Sequence, residues 1–229
     1  MSEVRLHRRA ESLDPALVDR LSRIPVSNVS DVLERMAGPT GIQVVGNSLS
    51  SLGGRAMVGA AMTVRTRPGD NLVVHKALDL ARPGDVVVID ARGELVNAIL
   101  GELMSEYAAS RGIAGLVVDG AVRDQNSLSA GELPVFARGF SHLGPYKSGP
   151  GEIHGPVSIG GVAVHDGDVI LGDADGLAVI PRARAWTALE AAEQVVTKEA
   201  AQRRDIQAGT WDRSWVDELL EVVEVEDQA

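Results

Sequence analysis

A chain of 229 residues with 22 Lys and Arg against 32 Asp and Glu carries a formal net charge of -10, which is the wrong balance for a nucleic-acid surface. The absence of cysteine excludes disulfides, thiolate zinc sites and a Cys nucleophile. Aromatics are only 3% of residues, so the core has to be built from Val, Ile, Leu and Ala, and no run approaches the roughly 18 consecutive apolar residues of a membrane span.

Charges scattered through MSEVRLHRRAESLDPALVDRL argue against a signal peptide, so a soluble cytoplasmic protein is expected. Asp14-Pro15 reads as an N-cap followed by Pro in the first turn of a helix to about Arg23. Ser27 can cap a second helix that ends near Gly38-Pro39. Val58 to Arg65 reads as a strand, and Asp70 or Asn71 caps a helix through about Ala81.

Pro83-Gly84-Asp85 then turns the chain into a strand, Val86 to Asp90, whose unbroken apolar run fits burial on both faces. A helix follows from Gly101 to Arg111, with Gly112 suited to its C-terminal turn, and GLVVD forms the next strand. This spacing predicts a parallel βαβ unit. Beyond Asp124, short runs (PVFARG, VSIGG, VAVH, VILGD, LAVIP) between Gly- and Asp-rich turns predict hairpins, hence a mixed sheet. A long helix runs from Pro181 to Gly209, and a short acidic helix ends the chain. The expected division is an α/β domain over residues 1–182, N-terminal helices included, and a helical extension over residues 183–229.

Chemistry concentrates at two element ends. The leading N–H groups of a helix lack internal partners, so those of Leu103 and Met104 are open to a carboxylate, and Glu102 beside them could bind metal-held water or merely complement the helix dipole. Ligands of α/β sheets gather beyond the carboxyl ends of strands, where Arg123 and Asp124 follow GLVVDG. Asp124 could ligate a metal and Arg123 could grip a carboxylate; a surface salt bridge, or Asp124 capping the next helix, are the alternatives.

The five histidines (His7, His75, His142, His154, His165) show neither HxH nor HExxH spacing, so an oxygen-ligated Mg²⁺ or Mn²⁺ fits better than a transition-metal centre. Each His reads as structural or surface, with His75 the one worth testing. The lysines Lys76, Lys147 and Lys198 are the few candidates for Schiff-base chemistry, and Lys147 lies in the loop GPYKSGPG. A P-loop, a GxGxxG turn and a GxSxG elbow are all missing.

Gly101-Glu102 and Arg123-Asp124, together with PGDVVVID, RGIAGLVVDGAVRD, LPVFARG and GDVILGDADGLAVIPR, resemble the RraA-like family over most of residues 25–182. That family includes class II pyruvate aldolases acting on 4-hydroxy-4-methyl-2-oxoglutarate and 4-carboxy-4-hydroxy-2-oxoadipate. The resemblance implies an α/β fold, an αββα sandwich of swivelling-domain type, assembled as a homotrimer or hexamer with sites between subunits. It implies Asp124 as direct ligand of Mg²⁺ or Mn²⁺, with Glu102 acting through water. Arg123 would meet a pyruvyl group, and the turn at Gly101 and the amides of Leu103 and Met104 would take its carboxylate. Glu199, in KEAAQRRD of the long helix, reads as part of a solvated charged face, or as completing a neighbouring subunit's site if that helix docks there.

The implied activity is cleavage of a 4-hydroxy-2-oxo acid to pyruvate and a second oxo acid, with oxaloacetate decarboxylation as a side reaction. The chain departs from the aldolases after the Arg-Asp pair, where QNSLS stands and the next acid is Glu132. The family also contains regulators that bind and inhibit an RNA-degrading endonuclease, which is the alternative reading. A menaquinone-precursor methyltransferase label also occurs among relatives, but no glycine-rich adenosyl-methionine loop is present here.

Overall fold

A computed structural model describes residues 2–36, 44–45 and 49–223. Strand β1 (Val4–Leu6) leads into helices α1 (Pro15–Leu21) and α2 (Val26–Met36), followed by short strands β2 (Val44–Val45) and β3 (Ser50–Leu52). The alternating part comprises β4 (Met57–Thr66), α3 (Leu72–Leu80), β5 (Asp85–Leu100), α4 (Glu102–Ser110), β6 (Gly115–Val122), α5 (Gln125–Ala130) and β7 (Val135–Phe140). Then come β8 (Gly151–Ile153), β9 (Val157–Ile159), β10 (Val162–Val164), β11 (Val169–Asp173) and β12 (Gly176–Ile180). After a single 3-10 turn at Arg182–Arg184, helices α6 (Ala185–Ala208) and α7 (Ser214–Leu219) complete the described chain.

Strands β4, β5, β6 and β7 pair in parallel in that order, and β11 joins the edge antiparallel to β4 and to β12. The sheet is therefore mixed, as the switch from βα alternation to hairpins implies. β5 and β6 are the βαβ unit, with α4 between them.

Period-two side-chain alternation sorts the strands into layers. Val87 and Ile89 of β5 pack with Val118 against α3 and α4 residues such as Val74, Leu78 and Ala108. Their neighbours Val86 and Val88 face the other way, meeting Phe136, Ile159, Ile170, Leu177 and Val179. In the β11–β12 hairpin the opposite positions, Val169, Leu171, Ala178 and Ile180, meet Leu17 and Leu21 of α1, Val29 of α2 and Leu189 of α6. Helices, sheet, hairpin strands and helices thus stack as an αββα arrangement. Each fully buried Val, Leu or Ile in it contributes about 1.5–3 kcal/mol relative to exposure.

Local signals explain most element ends. The Asp14 side chain accepts from the Ala16 N–H at 2.8 Å, with Pro in the first turn of α1. Gly112 follows α4 at φ +72°, a left-handed value that favours glycine. Two expectations need correcting. Helix α2 begins at Val26, whose N–H is taken by Asp173 at 2.9 Å, so its cap arrives from β11 and Ser27 is an exposed residue of the first turn. The predicted end at Gly38-Pro39 lies outside the described residues.

The second correction concerns β5, which does not stop at Asp90. After left-handed Arg92 (φ 56°) and Gly93 (φ 69°), the chain rejoins β6 with breaks in register between Asp90 and Glu94 and again between Glu94 and Ala98. Pairing with β6 holds this bulged arm as a strand although it lacks an apolar run.

The first turns of α6 bury Ala185, Ala188, Leu189 and Ala192 in the core shared with α1 and α2. No helix among the described residues is long and apolar enough to cross a membrane.

Candidate functional site

The bulged arm of β5 decides where the site forms. Its last residue, Leu100, pairs with Val122 at the end of β6, and the Arg123 N–H donates to the Leu100 carbonyl at 3.0 Å. The next residues along the two strands, Gly101 and Arg123-Asp124, are thereby brought side by side. Gly101 is extended (φ -149°), so its requirement is spatial. A Cβ there would lie 2.2 Å from Asp124 Oδ2 and 2.8 Å from Arg123 Cγ.

Asp124 sits in a left-handed conformation (φ 59°, ψ 45°) at the start of α5. Its carbonyl accepts the Leu128 N–H at 3.0 Å, but its side chain makes no cap to α5. The carboxylate turns instead to the neighbouring helix, where Oδ2 accepts the Glu102 N–H at 3.0 Å. Arg123 Nε stands 3.7 Å from the same oxygen, both side chains being near half exposed. The helix-cap alternative for this carboxylate is thus ruled out, and the ion pair is loose.

With the Glu102 N–H engaged, the following amides of Leu103 and Met104 remain leading N–H groups without intrahelical acceptors. Leu103 is 77% exposed, whereas the Met104 side chain is buried. Asn71 fixes that side chain from behind, donating to the Ile99 carbonyl at 2.9 Å and contacting Met104 Sδ at 3.2 Å. Lys147 Nζ donates to Asn71 Oδ1 at 3.3 Å, so the loop lysine reaches the back of the α4 N-terminus. Burial, and then the charge of Lys147, lowers the pKa of His75.

An open depression of about 400 Å³ is lined by Arg123, Asp124, Gln125, Phe140, Ser141 and His142. His142 and Ser141 were not singled out as ligand-facing in the sequence. The signal available was topological, because they follow β7, the parallel neighbour of β6, at the same carboxyl edge. The Glu102 side chain lines a separate cleft of about 100 Å³ between α4 and α5, with Glu106 and Glu132 among its neighbours. Glu199 is far from this constellation in the packing scheme: its helix α6 packs on α1 and α2, and its carboxylate stands 3.9 Å from Arg203.

Among the described residues no group of three or more His, Cys, Asp or Glu could hold a metal ion. A cation here would rest on Asp124, with water and ligand oxygens completing its shell. That arrangement fits Mg²⁺, which commonly keeps several waters and takes one or two carboxylates, and it fits the all-oxygen donor set.

Known proteins resemble this chain in sequence and in fold. The family model described as RraA-like, Aldolase/RraA, matches residues 26–179. A Halalkalibacterium halodurans protein named "Putative 4-hydroxy-4-methyl-2-oxoglutarate aldolase" is 39% identical over 189 residues, covering 82% of this chain and 88% of its own. Among solved structures, Streptomyces coelicolor RraAS2, described as an unusual member of the RNase ES inhibitor RraA protein family, aligns with a TM-score of 0.76 at 26% identity. That alignment covers 85% of this chain and 98% of RraAS2. A Pseudomonas syringae pv. tomato protein shares the fold, with a TM-score of 0.77 at 23% identity, covering 87% of this chain and 96% of the other.

Proposed function

The chain belongs to the RraA-like family, and from that premise we propose that it is a divalent-cation-dependent lyase releasing pyruvate from a 4-hydroxy-2-oxo acid. The observation that carries the reading is the seating of Arg123 and Asp124 on the open N-terminus of α4, with the Glu102 N–H on Asp124 Oδ2 at 3.0 Å. The aldolase name of the Halalkalibacterium halodurans relative supports the reaction class.

A bound Mg²⁺ or Mn²⁺ would supply Lewis-acid polarisation of the 2-oxo group and a template for the 2-oxo acid. Asp124 would hold it directly and Glu102 through water. The amides of Leu103 and Met104 bind the substrate carboxylate at the positive end of the helix. Arg123 orients the pyruvyl portion through its planar fork.

Glu102, or Glu199 of a neighbouring copy, accepts the 4-hydroxyl proton through water. The bond between C3 and C4 then breaks, C4 becomes the new carbonyl, and the electron pair passes onto the 2-oxo group as the enolate of pyruvate. Arg123 stabilises the negative charge that develops there, and a proton from water returns to C3. Decarboxylation of oxaloacetate passes through the same enolate and is the expected side activity.

Since α6 packs on α1 and α2, a role for Glu199 requires a homo-oligomer. The exposed apolar side chains Val96, Leu103, Phe140 and Leu143 favour such an assembly at this edge. Mixing Asp124→Asn with Glu199→Gln protein would restore activity to mixed oligomers if Glu199 serves a neighbour, and would not if it serves none.

The deciding experiment is an assay of EDTA-stripped protein for pyruvate release from 4-hydroxy-4-methyl-2-oxoglutarate and oxaloacetate, with and without Mg²⁺ or Mn²⁺. Cation-dependent release supports the lyase, and no turnover under either condition sinks it. The second reading, a protein-binding regulator of an RNA-degrading endonuclease, draws on the name of the Streptomyces coelicolor neighbour and the same exposed apolar edge. A stable complex with the endonuclease that survives Asp124→Ala would support it.

A further inference from the structure

A cluster of positive charge lies apart from the Arg123-Asp124 site in this acidic chain. A cavity of about 430 Å³ is lined by Arg5, Arg65, Arg67 and Arg92 together with only two carboxylates, Glu3 and Glu152. It stands where β4 and the first arm of β5 end, with β8 and β1 along one wall. It shares no lining residue with the depression at Arg123 and Asp124.

The four guanidinium groups are not equivalent. Arg5 and Arg65 approach the Glu152 carboxylate at 3.6 and 3.5 Å, and His7 approaches it from the outer side at 3.5 Å. Arg65 is also bound to the Pro156 carbonyl and lies 3.8 Å from Asp90. Glu152 is therefore surrounded and cannot also neutralise the other two arginines. Arg67 lies over the Tyr146 ring, 5.7 Å from its centre; it makes no ion pair within 4 Å among the described residues, though its charge reaches the buried Asp70. The Arg92 guanidinium has no partner there either.

The backbone beneath Arg92 supplies an independent observation. Arg92 holds φ 56°, a left-handed conformation that a residue with a Cβ adopts at an energetic cost. Its N–H is tied to Asp90 Oδ1 at 2.9 Å, and Gly93 continues the left-handed path at φ 69°. This kink ends the first arm of β5 and presents the Arg92 side chain to the cavity. Such strain concentrates where a ligand-facing residue is held in place.

We propose that this cavity is a binding site for a small multivalent oxyanion, carrying carboxylate or phosphate groups, held by Arg67 and Arg92 with Arg5 and Arg65 on its flank. Guanidinium forks match both oxyanions bidentately. The Arg67 guanidinium, held over the Tyr146 ring, is ordered before the ligand arrives, which reduces the entropy lost on binding. The site does not depend on the aldolase reading, since none of its residues belongs to that constellation.

The test is calorimetric titration of the full chain, without added metal, with tricarballylate and with pyrophosphate. Acetate and chloride at matched ionic strength serve as controls. Arg67→Gln keeps the stem, and Arg92→Gly suits the left-handed backbone, so both variants should fold. Saturable binding of either multivalent anion, weakened at least tenfold in either variant and unchanged in Asp124→Asn, supports the site. Which of the two anions binds distinguishes a carboxylate ligand from a phosphate one. Three results would overturn it: no saturable binding of either anion above the controls, binding as tight as the parent's in both arginine variants, or loss of binding in Asp124→Asn.

Discussion

Glu102 and Asp124 are 22 positions apart, yet the N–H of the first donates to the carboxylate of the second at 3.0 Å. The bond fastens the turn after β6 to the first turn of α4, and places a negative charge at the positive end of that helix. Asp124→Asn keeps an oxygen for the Glu102 N–H but removes the charge a cation needs. The expected result is a Tm within a few degrees of the parent and cation-dependent pyruvate release lowered about 100-fold or more. Steady-state kinetics and thermal melts of the two proteins measure both, and near-parental turnover would remove Asp124 from the chemistry.

Gly101→Ala probes the same contact from the other side. The new Cβ would fall 2.2 Å from Asp124 Oδ2 and 2.8 Å from Arg123 Cγ. Both are side-chain atoms near the surface, so the cheapest relief is to swing them away and leave the fold intact. Activity should fall about 10- to 100-fold, since misplacement by an ångström is enough for that, while stability changes by only about 1 kcal/mol. A variant that loses stability but retains turnover would show that the close approach serves packing alone.

Arg123→Lys separates charge from shape. Lysine keeps the positive charge but lacks the planar fork, and the Arg123 side chain is exposed enough for the exchange to leave the core untouched. We expect kcat/KM to drop about 100-fold, the loss typical of one donor to developing negative charge. If Lys restores most of the activity lost in Arg123→Ala, bidentate recognition is not what this residue supplies.

The helix start at Glu102 and the strand end at Arg123-Asp124 were legible because apolar period and breaker residues locate element ends locally. Their contact was not. It follows from the pairing of Leu100 with Val122, and that register is offset by bulges set through tertiary pairing. Asp173 as the cap of α2 was hidden for the same reason, being 147 positions from Val26. Strands β1 and β8 span three residues each, too few for alternation to register. His142 could have been found only by knowing that β7 lies beside β6. The αββα layering was expected only from the family resemblance. The residues alone implied a strand buried on both faces, and the structure shows its adjacent Val86 and Val87 dividing between two cores.

Asp70 gives a pH-dependent test of how the loop bearing Lys147 is held. Its side chain is 0% exposed and accepts N–H bonds from Leu72 at 3.0 Å, Ser148 at 2.7 Å and Gly149 at 2.6 Å. Burial alone would push this carboxyl up, but the three backbone donors, joined by the Arg67 charge, outweigh it and hold it below the usual carboxylate range. A depressed folded pKa stabilises above the unfolded value, near about 4, and that stabilisation is lost as pH falls through the folded value. Asp70→Asn should therefore cost about 2–3 kcal/mol at pH 7, as expected for charge-assisted bonds to a buried group. The gap between parent and variant should narrow as the pH falls below about 4. Urea unfolding midpoints measured from pH 7 down to pH 3 would register this convergence; a gap that stays constant with pH would mean that the Asp70 charge contributes nothing to holding the loop.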